Sequence, residues 1–233
     1  MLSARSYKAE IMDDFSITDE RISAALNELK IINRFLGGIS TTRAGLNYIF
    51  KNISEKKDLK ILDAGSGSSN VFRFKNSYKA DIFCLDRNLA VCKYLKKNSL
   101  DKAIIYGDAF HIPFKDKQFD IVHASLFFHH FNEKEIKTLL DKFIKASKQA
   151  VLINDLRRSA FAYYAIKLLT KIFSKSDMVK NDGPLSVQKG FIKSELIDIL
   201  NSFPQIEYII KRKWAFRWLV IIFTNRRNYV QAL

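Results

Sequence analysis

Three acidic residues and a glycine turn are the parts of this chain whose types and spacing suit chemistry. Asp63 ends the apolar run Lys60-Ile-Leu-Asp63 and is followed by a Gly-x-Gly turn at Gly65 and Gly67. A buried strand delivering its C-terminal end into such a turn lets a ligand lie against bare backbone. Asp86 closes Ile82-Phe-Cys-Leu-Asp86, 23 positions after Asp63. A carboxylate about 20 residues beyond a glycine loop can accept both hydroxyls of a ribose. Asp108, in Tyr106-Gly-Asp-Ala109, closes a third run, where its side chain could reach an adenine amino group. Singly, each Asp reads more readily as a helix cap or loop residue. Together, three carboxylates ending three successive strands define a cleft at the switch point of a sheet.

The glycine turn alone supports a dinucleotide or S-adenosylmethionine (SAM). A nicotinamide dinucleotide fits poorly, because its fingerprint asks for a third glycine where this chain has Asn70. A pyrophosphate also gains nothing from an acidic residue before the loop. SAM carries an amino group and a sulfonium, and Asp63 suits a cationic ligand.

The elements that must position these residues follow from periodicity. Ser16-Ile-Thr-Asp19 resembles a capping box and opens a helix with Ile22, Leu26, Leu29, Ile32 and Leu36 at helical spacing, stopped by Gly37-Gly38. A second helix carries Leu46, Ile49, Phe50 and Ile53 on one face. Strands are expected at Lys60–Ala64, Asp81–Asp86, Ala103–Gly107, Phe119–Ser125 and Ala150–Asp155, with helices between them at Leu89–Asn98 and Glu133–Ser147. Short apolar strands between helices mean parallel pairing with right-handed crossovers. After Asp155 come an aromatic amphipathic helix, Ser159–Phe173, and a polar loop from Ser174 to Gln188. Within it the Asp182-Gly-Pro turn suggests a mobile lid over Asp182–Gly190. A short helix from Ser194 to Asn201 precedes two strands, Ile206–Trp214 and Arg217–Thr224, that form a closing antiparallel pair. The expected fold is α/β, a Rossmann-like doubly wound seven-stranded sheet, mostly parallel with the last strand antiparallel. Residues 1–55 form an N-terminal helical cap, residues 56–233 the sheet domain, and residues 156–202 a helical insert or lid.

Composition narrows the setting. The 233 residues carry 48% hydrophobic side chains and 19 Phe, enough for one sizeable core. No run reaches the ~20 apolar residues that span a bilayer, and no charged-then-apolar leader precedes Asp14. Two cysteines, Cys84 and Cys92, make neither a disulfide framework nor a metal set, so a reducing cytoplasm is the simplest compartment and no metal is expected. The net charge of +15 is scattered, which argues against nucleic acid as partner. Lys211-Arg-Lys-Trp214 with Trp218 raises a peripheral membrane contact, set against exposed lysines beside packed tryptophans. A monomer or a homodimer is compatible with this chain.

The segments Leu62-Asp-Ala-Gly-Ser-Gly67, Asp86, Gly107-Asp-Ala-Phe-His-Ile-Pro-Phe114 and Phe119-Asp-Ile-Val-His-Ala-Ser125 resemble the class I SAM-dependent methyltransferases. The likeness is greatest to the methyltransferase type 11 group, which includes the ubiquinone and menaquinone enzymes, and covers Lys60 to Asp155. It implies that Asp63, Ala64, Gly65 and Gly67 meet the methionine end of SAM. Asp86 with Arg87 would hold the ribose side, Asp108 and Ala109 the adenine, and Ser125 the floor of the cleft. The chain departs from the pattern at Ser69, where a third glycine is usual, and its Ser69–Lys79 segment is short for the first helix of the fold.

Methyl transfer is an in-line displacement in which the enzyme aligns the acceptor and excludes water. A hydroxyl acceptor also calls for a base. Candidates are His129 and His130, whose side chains should point apart so that at most one faces the cleft, and Asp155, which could orient the acceptor or a histidine. His111 is a weaker candidate, and His123, inside a strand, reads as a satisfied core residue. Arg158 could bind an acidic group, and Phe161 and Tyr164 could wall an apolar acceptor pocket. The reading is methyl transfer to a small, largely apolar molecule, by O-methylation of a phenolic, polyketide-like or acid substrate. The alternatives left open are a quinone-type C-methyltransferase, an RNA methyltransferase and a non-catalytic SAM-binding protein.

Overall fold

The computed structural model describes residues 2–53, 58–69, 80–99, 101–111 and 114–224. The strands are β1 (Leu59–Ala64), β2 (Ala80–Asp86), β3 (Ala103–Tyr106), β4 (Phe119–Ser125), β5 (Ser147–Leu156), β6 (Glu207–Lys213) and β7 (Arg217–Phe223). The helices are α1 (Glu20–Phe35), α2 (Gly38–Asn52), α3 (Leu89–Asn98), α4 (Glu133–Ala146), α5 (Ala160–Phe173), α6 (Asp177–Lys189) and α7 (Lys193–Asn201). One sheet forms in the order β3-β2-β1-β4-β5-β7-β6. The first five strands pair in parallel, and β7 runs antiparallel between β5 and β6. This is the doubly wound sheet expected, with its switch point between β1 and β4.

Successive strand side chains point to opposite faces, and both faces are buried. Leu59, Ile61, Ile121, Leu152, Leu219 and Ile221 pack one face against α1, α2 and α3. Leu62, Ala64, Val122, Val151, Val220 and Ile222 pack the other against α4 and α7. The N-terminal helices therefore share a core with the sheet. Helix α4 shows how the sequence builds such a layer. Asn132 and Glu135 close a capping box, and Ile136, Leu139, Leu140 and Phe143 bury one stripe. Helix α1 is capped by Asp19, whose side chain accepts from the Arg21 amide, so it starts after the Ser16–Asp19 box.

The same alternation puts three polar residues, Asp63, His123 and Asn154, on the α2 face. Asp63 Oδ1 lies 2.8 Å from His123 Nδ1, and Thr42 of α2 meets His123 Nε2 at 3.0 Å. Asn154 donates to the Thr42 hydroxyl at 3.0 Å and accepts from the Arg217 guanidinium at 3.3 Å. Arg217 also donates to Leu36 O and to Asn33 Oδ1 at the end of α1. Buried polar groups must be paired or they cost stability, and here each group bonds the next. Burial lowers the Arg217 guanidinium to about 10.

The polar loop and lid expected over Ser174–Gln188 are instead helix α6. Ser176 caps it through the Val179 amide, and Pro184 sits inside it. The Asp182-Gly-Pro chemistry is overridden by tertiary contact. Gly183 packs beside Thr170 and Ile166 of α5, and the buried Asp182 carboxylate accepts the Ile11 and Met12 amides at 2.8 and 3.0 Å. The Asn70 position and most of the short segment read as Ser69–Lys79 lie outside the described residues.

Thr42→Val tests the buried chain, because it removes one of the two acceptors of the Asn154 amide, the other being Gly38 O, and the hydroxyl that meets His123 Nε2. A cost of about 1–3 kcal/mol per orphaned buried group translates to a melting temperature lower by roughly 2–4 °C per kcal/mol. Differential scanning calorimetry measures it, and an unchanged midpoint would contradict this account.

Candidate active site

At the C-terminal edge of the sheet a cleft of about 240 Å³ is lined by Asp63, Gly65, Gly67, Asp86, Arg87, Asp108, Ala109 and Ser125. Further residues close it from the N-terminal segment and from α1, α6 and the loop after β4. The glycine turn hangs from β2, since the Gly65 and Ser66 amides both donate to Leu85 O. Gly65 has φ +64°, and a Cβ there would stand 2.2 Å from the Phe127 ring, so only glycine lets the loops after β1 and β4 meet. Gly67 has φ +50°, and a Cβ there would meet none of the described residues within 4 Å, while the residue itself lines the cleft. Ser69 also adopts a left-handed φ of +40°, the conformation that makes glycine usual there. Its hydroxyl donates to Asp63 Oδ2 at 2.6 Å, which compensates for the missing glycine.

The three strand-end carboxylates are held differently. Asp63 is buried and fully engaged by Ser69 and His123, so it braces the loop from beneath. Asp86 accepts from the Gly67 amide at 3.1 Å and the Asn88 amide at 2.9 Å, tying the loops after β1 and β2 together. Burial pushes its carboxyl above the ordinary range, against the pull of those two amides. Asp108 accepts from the Phe110 amide and keeps its other oxygen 3.7 Å from exposed His111. Arg87 lies over the Phe15 ring at 4.1 Å. Ala64 packs in the core beneath the cleft.

His129 and His130 do not point apart. They sit on a 3-10 turn after β4, their rings 4.3 Å apart, and both line the cleft. His129 Nδ1 is 2.7 Å from Asp155 Oδ1, and its Nε2, buried and without a hydrogen-bond partner among the described residues, lies 3.8 Å from Glu10 Oε1. Burial works to raise Asp155, but the charge of His129 and its hydrogen bond outweigh this and hold the carboxyl below its usual value. His130 Nδ1 is 2.9 Å from Asp13 Oδ1. Lys189, almost fully buried, places its ammonium 3.2 Å from Glu10 and 3.3 Å from Asp13. Glu10, His129 and His130 offer donor atoms within 4.8 Å of one another, and the Lys189 ammonium is the cation beside this group.

The cover of the cleft is the segment ahead of α1, within the N-terminal region read from the sequence as a helical cap. Arg5 donates to Lys189 O, His129 O and Phe131 O, Ser6 N bonds Gln188 O, and Asp182 holds Ile11 and Met12. Met12, Phe15, Leu26, Leu29, Phe127, Phe131 and Val179 supply its apolar lining. Glu10, Asp13 and Lys189 carry no motif or periodicity that would have revealed them. Arg158, Phe161 and Tyr164, read as acceptor contacts, lie outside this lining. The Arg158 guanidinium is buried against Glu195, Gly190 O and Leu2 O, while Phe161 and Tyr164 face outward from α5.

Residues 62–150 match the family model of a methyltransferase domain, Methyltransf_11. Among solved structures the chain is similar to magnesium protoporphyrin IX methyltransferase from Synechocystis PCC 6803 with bound S-adenosylhomocysteine. The TM-score is 0.62 at 10% identity, over 91% of this chain and 99% of that one. It is similar also to the plantazolicin methyltransferase BpumL in complex with a triazolic desmethylPZN analog and S-adenosylhomocysteine. There the TM-score is 0.69 at 17% identity, over 91% of this chain and 93% of that one. The fold is that of the class I SAM-dependent methyltransferases, and the matched residues 62–150 run from β1 into β5. No curated protein matches the chain by sequence. The site fits SAM, because bare backbone borders the cleft at Gly67 and three strand-end carboxylates line it.

Two outcomes are expected. Asp86→Ala should weaken SAM binding at least about tenfold by calorimetry, the loss of one charge-assisted bond; unchanged affinity would refute the placement. The second concerns pH. Burial lowers His130, but its bond to Asp13 and the charges of Glu10 and Asp13 raise it above its ordinary 6.5. Its stabilising contribution is therefore complete below pH 6.5 and lost as pH rises through the higher folded value. Asp13 is depressed by His130 and Lys189 against its burial, so its contribution is present above 3.8 and lost as pH falls toward the lower folded value. Hydrogen exchange over residues 5–14, corrected for intrinsic rates, should show most protection between about pH 4 and 6.5 and less above. His130→Asn should flatten the upper limb.

Proposed function

We propose that this SAM-dependent methyltransferase methylates an acidic hydroxyl or carboxyl oxygen on a small, largely apolar acceptor, with His129 as general base. The observation that carries the reading is the buried His129–Asp155 pair, which holds Nδ1 and leaves Nε2 without a hydrogen-bond partner among the described residues, on a side chain that lines the cleft. Bound SAM would supply an electrophilic methyl group on a positively charged sulfur. Asp86 would hold its ribose, Asp108 and Ala109 its adenine, and the Gly65–Gly67 turn above Asp63 its methionine end.

Asp155 accepts the Nδ1 proton, which fixes the tautomer whose Nε2 is free to accept another. When a methyl group leaves the cofactor's sulfur, which would remain as the neutral thioether, and bonds to an acceptor hydroxyl oxygen, the hydroxyl proton would pass to Nε2, and the imidazolium would then lie between the Asp155 and Glu10 carboxylates. Two carboxylates flanking one developing cation favour the transfer. Phe127, Phe131, Met12 and Val179 would contact the acceptor body, and the N-terminal segment keeps bulk water from the reacting atoms.

The test uses labelled SAM with a panel of phenols and carboxylic acids. For any acceptor that takes label, His129→Ala should lower kcat by about 10²–10⁴ while SAM affinity stays near wild type, and Asp155→Asn should lower it through the wrong tautomer. Turnover of His129→Ala at the wild-type rate would rule out the base.

A further inference from the structure

Helix α5 has an apolar face that no described residue covers. Phe161, Tyr164, Leu168 and Ile172 recur at helical spacing and are each at least 60% exposed, and Phe173 ends the helix 75% exposed. The opposite face, with Ala162 and Thr170, packs inward toward α6. The Phe161 ring meets Phe216 at 5.6 Å, which carries the surface into the β6–β7 turn, where Trp214 is 74% exposed. A helix apolar on both its inner and outer sides is buried or meets lipid. Among the described residues no helix is long and apolar enough to cross a membrane, so α5 would lie in an interface rather than span it.

We propose that this face docks on an anionic lipid surface. Charge selects that occupant. Lys167 and Lys171, one turn apart, flank the stripe and are exposed. Arg157 stands before the helix over the Phe216 ring, Lys175 follows it, and Lys211 and Arg212 are exposed on β6. The whole chain carries +15. Bulky apolar and aromatic side chains framed by lysines suit the boundary between headgroups and acyl chains. A second copy of this chain would bring the same lysines against themselves. The tryptophan at work is Trp214 alone, because Trp218 is buried and donates to Phe191 O. The surface lies apart from the cleft lining, so this inference stands independently of the acceptor chemistry.

Vesicle flotation with the full chain tests it, using phosphatidylcholine alone and phosphatidylcholine with phosphatidylglycerol. Binding to the anionic vesicles should exceed binding to neutral ones by at least about tenfold at low salt and weaken as salt rises. Phe161→Ser with Leu168→Ser should abolish flotation, and Lys167→Glu with Lys171→Glu should reduce it about tenfold at low salt. SAM affinity should be unchanged in both variants, which shows that they fold. Absence of flotation, or flotation untouched by both variants, overturns the proposal. So does a dimer in analytical ultracentrifugation that Phe161→Ser with Leu168→Ser dissociates.

Discussion

The position of the cofactor loop depends on one buried carboxylate. Asp63 ends β1 inside the protein, where an uncompensated charge would cost several kcal/mol. Ser69 from the glycine turn and His123 from β4 satisfy it. From His123 the hydrogen bonds continue through Thr42 and Asn154 to the buried guanidinium of Arg217, which grips the end of α1. A carboxylate and a guanidinium thus close the two ends of a chain of polar groups running through the core. The glycine turn at the cleft and the helices packed over the sheet are held by the same network.

The cleft divides into two halves with different physics. On the sheet side the lining is bare backbone and strand-end carboxylates, and the shape is set by where glycine permits φ above zero. On the other side, the N-terminal segment is fastened by Arg5, Asp182 and the Glu10–Asp13–Lys189–His130 group. These are charged contacts gathered where solvent is scarce, so they are strong when all partners are present and sensitive to the loss of one. His129 lies at the junction, joined to the sheet through Asp155 and facing Glu10 of the segment. That placement brings a carboxylate of the scaffold and a carboxylate of the cover to the two sides of one imidazole.

Much of the fold was legible in the sequence because its signals are local. Apolar runs of strand length between amphipathic helices specify a parallel sheet, and β4, α3 and α5 fall within a residue of where periodicity puts them. Strand-end Asp63, Asp86 and Asp108 could be placed at one edge because parallel strands all deliver their C-terminal ends there. Even the buried role of His123 followed from its position inside a strand.

Only the tertiary structure decided which of these residues meet. Local turn chemistry at Asp182-Gly-Pro184 pointed to a loop, yet packing on α5 and the grip on Ile11 and Met12 make it part of a helix. His129 and His130 share the cleft because a 3-10 turn, invisible to helical or strand periodicity, aligns their rings. Arg158 is drawn into a buried pair with Glu195, and the aromatics of α5 turn away from the cleft. Glu10, Asp13 and Lys189 meet across more than 170 residues of chain. The sequence by itself determined the elements and the sheet edge where the cleft opens, since those depend on neighbours a few residues apart. The partners of each polar group depend on how distant elements pack, and no local pattern records that.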